Sequence, residues 1–471
     1  MKIAFGTDGW RGVIAKDFTF DRVEIVAQAI ANQVKKTGKG KGILIGYDTR
    51  FLSKEFAMEA ARVLASNRIP VYFSNNFVPT PVVSFSVKSL ALDGAIMVTA
   101  SHNPFMFNGI KFKGDYGGSS LPSINMAIER EINSKNLKIK TDLSFNDGLE
   151  SKIIRITFLK ERYFKALQKL VDFEALRSEK KKVVVDSMYG AGIGYLDTLL
   201  AELGWEVITL RNELNPTFGG YNPEPCPPNI DPLADTVKKH NAEMGFALDG
   251  DADRIGGVDN SGDFIDSHKI FALILRYLVE EKKWKGDVAK TITVSNMIDR
   301  LSVIYGRKLH ITPVGFKHIC KLMLEGNILM GGEESGGIGI TKHIPERDSI
   351  LNALILSEMC IKKGISLKNA VSSLMDLVGF HTFKRIDLHL NSDNHGLKKF
   401  LPNFRPGSIA GINVKDTNTS DGLKFILADN SWVMARLSGT EPILRLYCES
   451  DSDERVNTIL AAIKKTINKH T

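Results

Sequence analysis

With 471 residues, the chain exceeds what one ordinary core holds, and at roughly 150 residues per domain its length predicts three or four domains. A hydrophobic fraction of 43% and a charged fraction of 25% are those of a globular chain and exclude a disordered or fibrous one. The net charge of +8 is spread along the sequence rather than gathered into a nucleic-acid patch, and the resulting diffuse positive field suits small anionic substrates.

The first segment alternates strands and helices. Ile3–Phe5 reads as a short strand, followed by the polar, Gly-rich run Gly6–Gly12. From Asp21 to Lys36, Val23, Val26, Ile30 and Val34 recur at helical spacing, with Asp21 expected as N-cap. Strands are expected at Gly42–Gly46 and Pro70–Phe73, with a helix over Ser53–Asn67 between them. The apolar run Ala95-Ile96-Met97-Val98 then delivers Thr99-Ala100-Ser101-His102-Asn103-Pro104 into a turn, where Pro104 stops regular continuation. A nucleophile on a strand-end loop is rigidly held yet reachable, although a serine in a turn also bonds its own backbone. The alternation argues for a mostly parallel sheet, whose ligands bind beyond the carboxyl ends of the strands.

A second unit begins near Ser151, with a helix expected over Ile156–Leu176 and strands at Lys182–Asp186 and Trp205–Leu210. Gly190, Gly192 and Gly194 lack the third glycine of a dinucleotide fingerprint at its proper place and read as a tight strand-to-helix turn. The strand Gly245–Leu248 ends in Asp249-Gly250-Asp251-Ala252-Asp253-Arg254. In an extended segment, Asp at i, i+2 and i+4 points three carboxylates the same way. Such converging anions repel one another unless a cation joins them, and Mg²⁺ suits an all-oxygen site. The alternative is an Asp-Gly turn with solvated charges.

The third unit, from about Asp266, has a helix over Phe271–Leu278 and strands at Thr291–Val294 and Ile328–Met330. Its last strand ends in Gly331-Gly332-Glu333-Glu334-Ser335-Gly336-Gly337, where two acids and a hydroxyl on close-approaching backbone suit a polyol, or form a mobile turn. The last unit begins around Gly379. Strand Trp432–Ala435 leads into Arg436-Leu437-Ser438-Gly439-Thr440-Glu441-Pro442, and Arg445 follows in the next strand. Guanidinium forks, hydroxyls and free backbone N–H groups match a dianionic phosphate; a surface hairpin is the alternative.

The succession TASHNP, DGDADR, GGEESGG and RLSGTEP resembles the α-D-phosphohexomutase family, the phosphoglucomutases and phosphomannomutases, over essentially the whole chain. The resemblance implies an α/β fold of four domains around a central cleft, at 1–152, 153–260, 261–374 and 375–471. The first three would be alike, with mixed, mostly parallel sheets, and the last a smaller α+β domain. It also implies that Ser101 carries a phosphoryl group and, with Asp249, Asp251 and Asp253, holds Mg²⁺. Lys111 would be the acid/base, with Arg11, His102 and Arg254 around the phosphoserine. Gly315, Lys317, Glu333, Ser335 and Arg347 would bind substrate, and Arg436, Ser438, Gly439, Thr440 and Arg445 the phosphate that is not reacting.

By resemblance the reaction moves phosphate between the 1- and 6-positions of a hexose phosphate through a hexose 1,6-bisphosphate. Gly332–Gly337 and His343-Ile344-Pro345-Glu346-Arg347-Asp348 look glucose-type, with glucose 1,6-bisphosphate as intermediate and activator. Arg347 stands where Lys can occur and Val314 where some relatives have Thr, which leaves mannose and glucosamine phosphates open. A metal-dependent phosphohydrolase and a non-catalytic phosphosugar-binding protein are the rivals from other classes. The expected partners are small hexose phosphates, with no nucleic acid and no membrane, and the chain is expected as a monomer or homodimer. The four cysteines lack metal-ligand spacing and no signal peptide is evident, so a cytoplasmic setting is expected.

Overall fold

The computed structural model describes residues 3–6, 8–390, 395–437 and 443–468. The first sheet contains β1 (Trp10–Val13), β2 (Ile43–Tyr47), β3 (Val71–Ser74), β4 (Gly94–Val98), β5 (Phe107–Gly114) and β6 (Ile154–Thr157), in the order β1-β5-β4-β2-β3-β6. Strands β4, β2, β3 and β6 run parallel, whereas β5 and β1 form an antiparallel flank. The second sheet contains β7 (Lys182–Asp186), β8 (Glu206–Leu210), β9 (Met244–Leu248), β10 (Ile255–Asp259) and β11 (Phe264–Ile265), ordered β11-β10-β9-β7-β8. In the third, β12 (Asp287–Thr291), β13 (Leu309–Thr312), β14 (Ile328–Gly332) and β15 (Ile338–Ile340) are ordered β13-β12-β14-β15.

One topological position recurs in all three sheets. A parallel strand turns back into an antiparallel neighbour, β4 into β5, β9 into β10 and β14 into β15. The connections are residues 99–106, 249–254 and 333–337, the loops singled out by their chemistry. The incoming strands are buried along their whole length, as continuous apolar runs in parallel sheets are.

The fourth sheet is antiparallel throughout: β16 (Thr382–His389), β17 (Ser408–Ile409), β18 (Ile412–Asn418), β19 (Leu423–Leu427), β20 (Trp432–Leu437) and β21 (Ile443–Ser450), ordered β16-β21-β20-β19-β18-β17. One apolar cluster runs through the first three units, linking Met97, Phe246 and Leu329. The fourth has its own core around Leu444, Leu446 and Ile459, and meets the third where Ile292 packs with Trp432, Met434 and Tyr447. Among the described residues no helix is long and apolar enough to cross a membrane.

Several local expectations are corrected. Ile3–Phe5 lies outside any strand, and the first strand is β1, which begins inside the segment read as a loop, because pairing with β5 overrides the glycines within and before it. Gly9 makes that entry possible, since it has φ +101° and a Cβ there would meet the Ile110 carbonyl oxygen at 2.4 Å. Thr19 rather than Asp21 occupies the N-cap of the helix Phe20–Thr37; Asp21 sits in its first turn, where it still favours the helix dipole. Ile156–Leu176 is not one helix. Residues 154–157 join the first sheet as β6, so that unit extends past 152, and two short helices follow, Lys160–Leu167 and Phe173–Ser178. Asp172 starts the second by accepting from the Ala175 N–H at 3.0 Å. The third-unit strand ends at Thr291, with residues 292–294 in a turn, and the helix Leu367–Val378 carries that unit beyond 374.

Candidate active site

The loop after β4 presents Ser101 in the left-handed region, φ +54°, a conformation that costs a non-glycine residue roughly 1–2 kcal/mol. Its N–H is held by Thr99 Oγ1 at 2.9 Å, and its hydroxyl donates to Asp249 Oδ2 at 2.7 Å. Gly250 permits this approach, for a Cβ at that position would lie 2.4 Å from the Ser101 carbonyl oxygen. Arg11 donates to Asn103 Oδ1 in the same loop. Burial and the nearby Arg254 and Arg11 guanidinium groups push the His102 imidazole well below its ordinary pKa, so it is neutral.

The three aspartates converge through a turn, not an extended segment. Ala252 takes φ +56°, and Asp249 Oδ1 accepts from the N–H groups of Asp253 and Arg254 at 2.9 and 3.1 Å. All three carboxylates are fully buried, with one oxygen of each within 4.8 Å of the others. Burial and then the charges of Asp251 and Asp253 drive the Asp249 carboxyl well above its ordinary range. Burial acts upward on Asp251 too, but Lys111, the Thr80 hydroxyl and Arg347 together outweigh it and hold that group low. The Lys111 ammonium lies 2.7 Å from Asp251, 3.1 Å from Asp253 and 2.9 Å from Asp8. Asp251 Oδ1 and Asp253 Oδ1 accept no hydrogen bond from the described residues. Buried, orphaned, all-oxygen donors beside a third carboxylate fit a hard divalent cation such as Mg²⁺.

The third unit closes over this cluster. Arg254 bridges to Gly337, and the Ile255 N–H donates to the Gly336 carbonyl at 3.2 Å, joining the second and third loops. Glu333 Oε1 accepts from the Gly315 N–H at 3.0 Å, and its carboxyl is pushed up to about 7 by burial, against the pull of Arg347. Arg347 lies 2.8 Å from Asp253, 3.1 Å from Glu346 and 3.6 Å from Glu333, and it also pairs with Asp8. Lys113 completes the network at 2.6 Å from Glu346. Ser335 lies in the turn between β14 and β15, and Lys317 donates to the Gly6 carbonyl at 3.2 Å.

In the fourth unit, Arg436 on β20 faces Arg445 on β21 as a cross-strand pair. Arg436 Nε donates to Asp421 Oδ1 at 3.0 Å, and Asp421 Oδ2 takes the Val314 N–H at 2.8 Å, tying this unit to the loop before Gly315. Arg445 lies 3.6 Å from Asp387. Ser438, Gly439 and Thr440 lie outside the described residues.

Four descriptions of phosphoglucomutase/phosphomannomutase domains match in chain order: alpha/beta/alpha domain I over residues 2–138, domain II over 161–262, domain III over 266–378 and the C-terminal domain over 399–466. The chain belongs to the phosphoglucomutase/phosphomannomutase family. A phosphoglucomutase/phosphomannomutase of Thermococcus kodakarensis is 30% identical over 457 residues, 97% of this chain and 96% of the relative. A phosphoglucosamine mutase of Prochlorococcus marinus subsp. pastoris is 31% identical, covering 98% of this chain and 97% of the relative. The solved structure of a Thermus thermophilus protein, provisionally described as a phosphomannomutase, superposes with a TM-score of 0.87 at 33% identity and 99% coverage of both chains. The chain is accordingly an isomerase of the phosphohexomutase class.

In this phosphohexomutase the structure brings Ser101, Lys111, the three aspartates, Arg254, Glu333 and Arg347 into one buried cluster built by three units, with the half-buried Arg11 and His102 beside Ser101. Sequence reasoning missed two contributors. Asp8 sits in the Gly-rich stretch before β1, between Lys111, Lys113 and Arg347. Thr80 opens the helix Thr80–Ser89 and donates through Oγ1 to Asp251 at 2.5 Å. The Pro79–Pro81 loop carried no charge to betray it.

Proposed function

We propose that this phosphohexomutase interconverts glucose 1-phosphate and glucose 6-phosphate through phosphorylated Ser101 and glucose 1,6-bisphosphate. The observation that carries the reading is the Ser101 hydroxyl, directed at Asp249 within a buried carboxylate triad. Asp249, Asp251 and Asp253, with an oxygen of the Ser101 phosphate, would hold Mg²⁺, which supplies charge stabilisation where phosphoryl transfer needs it most. Phosphorylated Ser101 passes its phosphoryl group to the free hydroxyl of the bound monophosphate, and after the bisphosphate turns over, Ser101 takes back the other phosphate. Lys111 would exchange the proton of the reacting hydroxyl, and neutral His102, Arg11 and Arg254 would line the phosphoserine pocket. Glu333 and Ser335 accept and donate hydrogen bonds to sugar hydroxyls, with Gly315 fixing the Glu333 carboxylate. Arg436 and Arg445, with Ser438, Gly439 and Thr440, hold the phosphate that is not reacting.

The glucose preference rests on the Gly332–Gly337 and His343–Asp348 sequences, and Arg347, paired with four carboxylates, acts as a fixed binding group rather than a proton shuttle. The test has two arms. Intact mass and peptide mapping should find phosphate on Ser101, and Ser101→Ala should abolish turnover. Glucose, mannose and glucosamine 1-phosphates, each with a trace of the matching bisphosphate, should give the highest kcat/KM for glucose; a mannose or glucosamine optimum replaces the substrate and leaves the nucleophile standing. Continuous release of inorganic phosphate would make the chain a hydrolase.

A further inference from the structure

Beneath the Ser101 loop lies Arg50, at the end of β2, with a side chain sealed from solvent. A guanidinium has five N–H donors in a rigid fork, and here every one is used. Nε donates to Asp48 Oδ2 at 3.1 Å, one terminal nitrogen to the carbonyls of Pro104 at 2.9 Å and Phe107 at 3.1 Å, and the other to those of Ser101 at 2.5 Å and Asn103 at 2.6 Å. Four carbonyls of a seven-residue stretch therefore converge on a single cation, beginning with that of Ser101 itself. The face of the guanidinium stacks on Phe218 of the second unit, 4.8 Å from the ring centroid. Asp48 is fixed in turn: its Oδ1 accepts from the Arg50 N–H at 3.0 Å and from Ser53 Oγ at 2.6 Å, and Ser53 Oγ takes Asn108 Nδ2 at 2.9 Å.

We propose that Arg50 is a positioning residue for phosphoryl transfer: it holds the Ser101 backbone in its left-handed conformation, so that Oγ faces the Asp249 carboxylate, and Asp48 aims the fork. The proposal rests on Ser101 being the phosphorylated residue. Lysine retains the charge but has three donors on a flexible stem and cannot bridge four carbonyls. In-line transfer is sensitive to misplacement of the nucleophile by a fraction of an ångström, whereas sugar and phosphate are gripped by other loops.

The experiment compares Arg50→Lys and Asp48→Asn with the parent, counting folded protein by its melting transition. Arg50→Lys should lower kcat at least 30-fold with KM changed less than threefold, and slow phosphorylation of Ser101 by glucose 1,6-bisphosphate by the same factor. Mg²⁺ affinity by calorimetry should stay within threefold. Asp48→Asn should lower kcat about tenfold in the same pattern, and it decides the matter if Arg50→Lys does not fold. A kcat within threefold of the parent, a loss confined to KM, or a loss matching the unfolded fraction overturns the role of Arg50. A parent that carries no phosphate on Ser101 overturns the nucleophile reading itself, a result distinguishable from the others because it appears without any substitution.

Discussion

Ser101 and Asp249, 148 residues apart, are joined by a 2.7 Å hydrogen bond where the ends of two sheets meet. The proposed nucleophile and the proposed metal-binding acid are thus neighbours only in the folded chain, and their roles can be separated by mutation. Ser101→Ala should abolish turnover, and its Mg²⁺ affinity should fall below that of the phosphorylated parent yet match the dephosphorylated parent within a few-fold. Asp251→Asn should weaken Mg²⁺ by more than the roughly 10–100-fold typical of an outer-shell partner. EDTA should stop the parent and Mg²⁺ restore it; calorimetry and rate assays check both, and full activity of metal-free protein would remove the metal from the reaction.

Arg436 stands on β20 of the fourth unit and is anchored by Asp421. A hydrogen bond to a charged group contributes roughly 1.5–3 kcal/mol, about one to two decades in an equilibrium constant. Arg436→Ala should weaken glucose 1-phosphate and glucose 6-phosphate by similar factors, leaving Mg²⁺ binding unchanged. Titration calorimetry of both isomers decides; a loss confined to one isomer means that the loop reads a fixed orientation.

Glu333 gives the free protein a titration near neutrality. Burial raises its carboxyl to about 7 and Arg347 only partly opposes this, so the carboxylate proposed to accept from sugar hydroxyls forms as pH rises through 7. The ratio of kcat/KM between the parent and Glu333→Gln should therefore climb across pH 6–8. The second ionisation of the substrate phosphate is common to both proteins and cancels in the ratio. A flat ratio would show that Glu333 is ionised throughout.

At the junction of the third and fourth units, two buried groups titrate in opposite senses. Burial raises the Glu449 carboxyl, but His381 at 3.2 Å and the Asn296 N–H at 2.9 Å overcome this and bring it to about 2. Its contribution, about 3 kcal/mol, is present above pH 4.5 and lost as pH falls toward 2. Burial and then Lys290 lower the Lys424 ammonium to about 7, so stability rises between pH 7 and 10.5, by at most about 1.4 kcal/mol per pH unit. Denaturation curves against pH should lose the acid limb in Glu449→Gln and the alkaline rise in Lys424→Met.

What could be read in the sequence follows from locality. The loops after β4, β9 and β14 were legible because apolar runs end abruptly in Ser101, Asp249 and Glu333. β1 was not, because its four residues, Gly12 among them and glycines before them, form a strand only when β5 lies beside them. The stretch Ile156–Leu176 mixes helical and strand spacing, and the edge of the first sheet captures its start as β6. The part played by Arg50 could not be read at all, since nothing near it in sequence announces that a loop about fifty residues away would fold onto its guanidinium. Asp8 and Thr80 acquire their places only when the three units meet.

The charged network across those units has a consequence for recombination. Asp8 and Lys113 come from the first unit, Asp253 from the second, and Glu346 and Arg347 from the third. Breaking a buried ion pair by removing one partner costs roughly 3–5 kcal/mol. A chimera that takes its third unit from a relative with an uncharged residue at 347 therefore inherits unmatched charges from the other two. These five positions form a block of linked inheritance: a graft that exchanges them together should fold and turn over, and one that splits them should behave worse than either parent.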